Sequence, residues 1–112
     1  MIELMLQAEQ TLGLGLLDQA ERLYAQAAEA DPHNAIAIVG LARVQLERGD
    51  QAGAHELTLR ALGVDPENAT ALRMEARLRE VLAAAGTKVR RPPGPAEPAR
   101  RGIVARLLGR DR

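Results

Sequence analysis

Few side chains in this 112-residue sequence could do chemistry: His33, His55 and a group of charges at Glu75, Arg77, Arg79 and Glu80. Covalent catalysis needs an activated Cys, Ser or Lys, and the sequence has no Cys, no Ser and a single Lys, Lys88. Neither histidine belongs to a metal-ligand pattern, so both read as ordinary surface residues. Glu75 with Arg79, and Arg77 with Glu80, could frame an acid–base site, but at i,i+4 and i,i+3 spacing they read as pairs on exposed helices. The sequence therefore predicts no catalytic constellation, no cofactor and no metal site.

Whatever the chain does must come from how its elements are arranged. Residues 31–35 read DPHNA and residues 65–69 read DPENA, an offset of 34. At that offset Asp31/Asp65, Pro32/Pro66, Asn34/Asn68, Ala35/Ala69, Ala37/Ala71, Ala42/Ala76 and Arg43/Arg77 coincide. Each proline blocks continuation of a preceding helix, and each asparagine can cap the next by accepting a backbone N–H. Gly49 followed by Asp50 supplies another stop and start. Apolar residues recur at helical intervals, as in Ile38, Leu41, Ala42 and Val44 or Ala54, Leu57, Ala61 and Leu62. No sustained β alternation occurs. The expected helices are 2–14, 17–30, 35–48, 51–63 and 69–85, arranged as helical hairpins.

These residues resemble the tetratricopeptide repeat family, whose 34-residue helix–turn–helix units stack into a superhelix. Ala8, Ala20, Tyr24, Ala27 and Pro32 match its landmarks in a first unit, 1–34. Leu41, Ala42, Gly49, Asp50, Ala54, Ala61 and Pro66 match in a second, 35–68, and Leu72 and Ala76 open a third that stops at Gly86. The resemblance implies an all-α solenoid over 1–86 with a closing helix at 69–86. The usual large aromatic of each first helix is replaced by Leu4, Ile38 and Leu72, and Thr58 stands where Tyr24 stands one unit earlier. With no Phe or Trp, the core is expected to be less stable than that of a consensus array.

The resemblance further implies a non-catalytic role: binding another protein, as a helix or extended peptide, on a concave face built from the first helix of each unit. Carried over by position, that face presents Ile2, Met5, Glu9 and Leu12, then Ile36, Val39, Arg43 and Leu46, then Thr70, Arg73, Arg77 and Glu80. Members that clamp a terminal carboxylate use Lys and Asn where this chain has Met5, Glu9, Gly40, Thr70 and Met74, which counts against that mode. An adaptor or small accessory subunit of a larger assembly is the expected role. Two and a half units, with an apolar start in MIELML, also point to self-association or stabilisation by a partner.

Charge divides the chain. Residues 1–87 carry 7 Arg against 13 Asp plus Glu, net −6, whereas residues 88–112 carry net +6. Residues 87–98, TKVRRPPGPAEP, read as a proline-rich linker. Beyond it, in 99–112, Ile103, Val104, Leu107 and Leu108 fall on one helical face among Arg101, Arg106 and other arginines. That basic amphipathic tail reads as a second protein contact, with fold-back into the groove, weak anchoring to anionic lipid and plain disorder as the alternatives. Nucleic acid is disfavoured by the absence of aromatics in the tail and by the acidic body. No run approaches the ~18 apolar residues of a membrane span, and Glu3 and Glu9 occupy the stretch where an export signal would be basic. Lack of cysteine fits the cytoplasm, the expected location.

Overall fold

The computed structural model describes residues 2–86. The expected linker and the tail contact at Arg101, Ile103, Val104, Arg106, Leu107 and Leu108 lie outside the described residues. Five helices follow one another: α1 (Ile2–Gly13), α2 (Leu17–Ala30), α3 (Ala35–Glu47), α4 (Gln51–Val64) and α5 (Ala69–Ala84). Each lies within one residue of the range expected from sequence, and no strand occurs among the described residues.

Local chemistry explains the boundaries. Asn34 Oδ1 accepts the Ala37 N–H at 3.1 Å, Asn68 Oδ1 accepts that of Ala71 at 2.9 Å, and Asp50 Oδ1 accepts that of Gly53 at 2.9 Å. α2 and α4 end on extended Asp31 and Asp65, as residues before proline must. Each of these aspartates then accepts the N–H two residues on, His33 at 3.1 Å and Glu67 at 3.2 Å. α1 and α3 end differently, through Gly15 and Gly49 at φ 80° and 85°, a left-handed turn that side chains resist. Replacing Asn68 by alanine should therefore lower unfolding free energy by about 1 kcal/mol, with serine recovering most of it. A urea midpoint unchanged in Asn68→Ala would show that the cap contributes nothing.

Consecutive helices pack side by side, and α1 also reaches α3. Two apolar clusters result. Ala8, Leu12, Ala20, Tyr24 and Val44 join α1, α2 and α3, while Ala35, Ile38, Val39, Ala61, Leu62 and Ala71 join α3, α4 and α5. Helix α3 serves both, so seven of its residues are buried. Tyr24 is the largest fully buried side chain, and its ring lies over Gly40, where an added Cβ would collide with it. At the equivalent place in α4, Thr58 turns inward and donates to the Ala54 carbonyl at 2.7 Å.

Two expectations need correction. His55, read as a surface residue, is buried, because α5 packs over the side of α4 that carries it. Glu75, read as half of an exposed pair, is buried too; it lies 3.4 Å from His55 Nε2 and 3.7 Å from Arg79. The exposed side of α1 holds Ile2 and Leu6, with Glu3, Gln7 and Gln10 beside them.

Candidate partner-binding groove

Helices α1, α3 and α5 bring residues 34 apart into corresponding places: Ile2, Ile36 and Thr70; Met5, Val39 and Arg73; Glu9, Arg43 and Arg77; Leu12, Leu46 and Glu80. A cleft of about 360 Å³ opens between Ile2, Met5, Leu6 and Ile36, with Glu9 and Asn34 at its margin. It adjoins a second of about 350 Å³, which shares Glu9 and Ile36 and extends to Val39, Arg43 and Thr70. A third, of about 550 Å³, shares Arg43 and Thr70 and continues along Leu12, Leu46 and Met74. Together they form one groove from the start of α1, across α3, to α5.

At the centre, one carboxylate oxygen of Glu9 accepts both the Tyr24 hydroxyl at 2.6 Å and Arg43 Nη1 at 2.8 Å. Burial, and then the Glu9 carboxylate, push the Tyr24 phenol above the ordinary tyrosine range, with Arg43 pulling the other way. The phenol is therefore a donor at neutral pH. Its anchorage in the core holds Glu9, and Glu9 holds Arg43, leaving a nearly neutral and preorganised junction in mid-groove. Further along, Arg73 and Arg77 are exposed and have no ion-pair partner among the described residues. They border a depression of about 780 Å³ with Met74 and Glu80. The groove thus changes from apolar at α1 to cationic at α5.

The sequence-derived residues are distributed unevenly. Ile2 and Ile36 are 75% and 60% exposed, and Met5, Arg43 and Leu46 are half-buried. Glu9 is exposed beside them. Leu12 and Val39, at 8% and 5%, belong to the two apolar clusters and show the groove only an edge. Leu6 and Asn34 line the first cleft without having been expected there. Leu6 could have been found from its i+4 relation to Ile2. Asn34 had only its capping role as a signal, and nothing in sequence links Tyr24 to Glu9 fifteen residues away.

Among the described residues no group of three or more His, Cys, Asp or Glu side chains could hold a metal ion. No described helix is long and apolar enough to cross a membrane. Neither a curated protein nor a solved structure matches the chain significantly. The profile of the tetratricopeptide repeat matches residues 11–78, which take in α2, α3 and α4 whole and most of α5. That match covers more than half of the sequence and agrees with the all-α stack of hairpins. Repeats of this kind generally mediate protein–protein interaction. The chain belongs to the tetratricopeptide repeat family.

Proposed function

We propose that this chain is a non-catalytic adaptor or small accessory subunit that grips a helix or extended peptide of another protein along the α1–α3–α5 groove. The observation that carries this reading is the apolar cleft formed by Ile2, Met5, Leu6 and Ile36, which stays open to solvent and leads directly into the Glu9–Arg43 junction. Large aliphatic side chains left exposed in a concave surface favour a partner over solvent. In this reading units 1–34 and 35–68 with the closing helix 69–86 form the binding body, residues 87–98 a spacer and residues 99–112 a second contact, in the cytoplasm.

Ile36 provides the cleanest test because it is exposed, whereas Val39 is buried and its replacement by aspartate would unfold the body. Ile36→Asp should keep the helical circular dichroism and melting temperature of the parent. Its affinity for a partner purified from the native cell should fall about 10–100-fold, the equivalent of one large apolar side chain. Parental affinity in the folded variant would refute the groove as the binding site.

A further inference from the structure

Positions 34 apart line the groove, yet they do not carry the same charge from one helix to the next. Met5 of α1 corresponds to Val39 of α3 and Arg73 of α5, and Glu9 corresponds to Arg43 and Arg77. Glu9 and Arg43 cancel one another through their 2.8 Å ion pair. Arg73 and Arg77 stand one turn apart on α5, both exposed, and neither has an ion-pair or hydrogen-bond partner among the described residues. The uncompensated charge of these positions is therefore positive and lies at one end, opposite the apolar cleft of Ile2, Met5, Leu6 and Ile36. Glu47 and Glu80 stand on the far margin, one turn beyond Arg43 and Arg77. They repel a carboxylate there and so confine it to the side of Arg73 and Arg77.

The distance between the two ends sets how far apart an occupant must carry its two kinds of side chain. Helix α1 reaches α3, and Val39 of α3 shares an apolar cluster with Ala71 of α5. At the 8–10 Å spacing of packed helices, α1 and α5 stand roughly 16–20 Å apart. An extended chain covers that span in about 5–6 residues, and a helix in about 11–13. Residues 88–112 of this chain, with net +6, are mismatched to the arginine end.

Resting on the groove as the binding site, we infer that its occupant is a segment of another protein that is apolar where it crosses α1 and α3 and acidic where it reaches α5. Aspartate or glutamate side chains of that segment pair with Arg73 and Arg77, whose planar guanidinium groups suit carboxylates. Recognition is by side chains within the segment and needs no free chain end.

The probe is a displayed library of random linear peptides of about sixteen residues, long enough for either spacing, selected against the full chain. Enriched peptides should carry aliphatic or Met residues separated from Asp or Glu by one of the two spacings. Ile36→Asp should weaken their binding about tenfold or more, which places them in the groove. Arg73→Glu combined with Arg77→Glu should do the same at an unchanged melting temperature, and lysines in place of the peptide's acidic residues should restore binding to that chain. Binding should fall as salt is raised, whereas amidation of the peptide's C-terminus should leave it unchanged. Peptides that depend on Ile36 but are neutral or basic, ignore the two arginines or require a free C-terminus would overturn the inference and leave the groove standing. Acidic peptides indifferent to Ile36→Asp would refute the groove and the inference together. No enrichment would also overturn the inference. Tighter binding by the full chain carrying Leu107→Asp would assign the groove to its own C-terminal segment, with the same consequence.

Discussion

Tyr24→Ala is expected to cost about 3–5 kcal/mol, most of the stability of an array this small, because it removes the largest fully buried side chain and leaves a cavity beneath Gly40. Tyr24→Phe keeps the ring and loses only the hydroxyl bond to Glu9, so about 1 kcal/mol should suffice. The phenol also links stability to pH. Its ionisation is raised in the folded chain by burial and by Glu9, so its contribution is intact below the unfolded value near 10.0 and is lost progressively as pH rises above it. Tyr24→Phe should therefore blunt the alkaline loss of stability. Gly40 tests the same contact from the other side. A Cβ at Gly40 would enter the space of the Tyr24 ring, so Gly40→Ala should cost about 1–3 kcal/mol with Tyr24 present and much less in Tyr24→Ala. Additive effects in that cycle, read from urea unfolding, would contradict the contact.

The pair between α4 and α5 should behave in the opposite way when both members are removed. His55 and Glu75 are buried, 3.4 Å apart, with Arg79 reaching Glu75 from the rim at 3.7 Å. Glu75→Leu should destabilise the chain by about 3 kcal/mol, because it strands the imidazole without its carboxylate partner in an apolar seam. The double replacement His55→Leu with Glu75→Leu removes both polar groups and should return most of that loss, since buried pairs often contribute little over well-packed apolar residues. Urea unfolding of the four chains measures the coupling. If the double replacement cost as much as the sum of the single ones, the pair would be no unit. Since α5 also carries Thr70 and Met74 of the proposed groove, loosening this seam is expected to weaken binding there too.

The repeat and the number and ends of the described helices were legible in the sequence because they rest on short-range chemistry. Asp-Pro stops a helix, Asn34, Asp50 and Asn68 start one, and Gly15 and Gly49 turn the chain, each acting within a few residues of itself. The 34-residue interval then places Ile2 with Ile36 and Glu9 with Arg43 on matching sides of neighbouring hairpins, so much of the groove could be drawn in advance.

Burial depends on what packs where, and that was decided only by the tertiary structure. His55 and Glu75 are polar residues on helices with charged neighbours, and the sequence carries no mark of the seam that encloses them. Leu12 and Val39 look like groove residues by register, yet they are drawn into the two apolar clusters. The Tyr24–Glu9–Arg43 junction joins three helices through a single carboxylate oxygen, an arrangement that no spacing along one helix encodes. Ala42 and Ala76 are the same residue at the same place in the repeat, and only the presence of α4 over one, with no described helix over the other, makes the first core and the second surface. Local backbone preferences are written residue by residue, whereas burial belongs to pairs of helices that meet from distant parts of the chain.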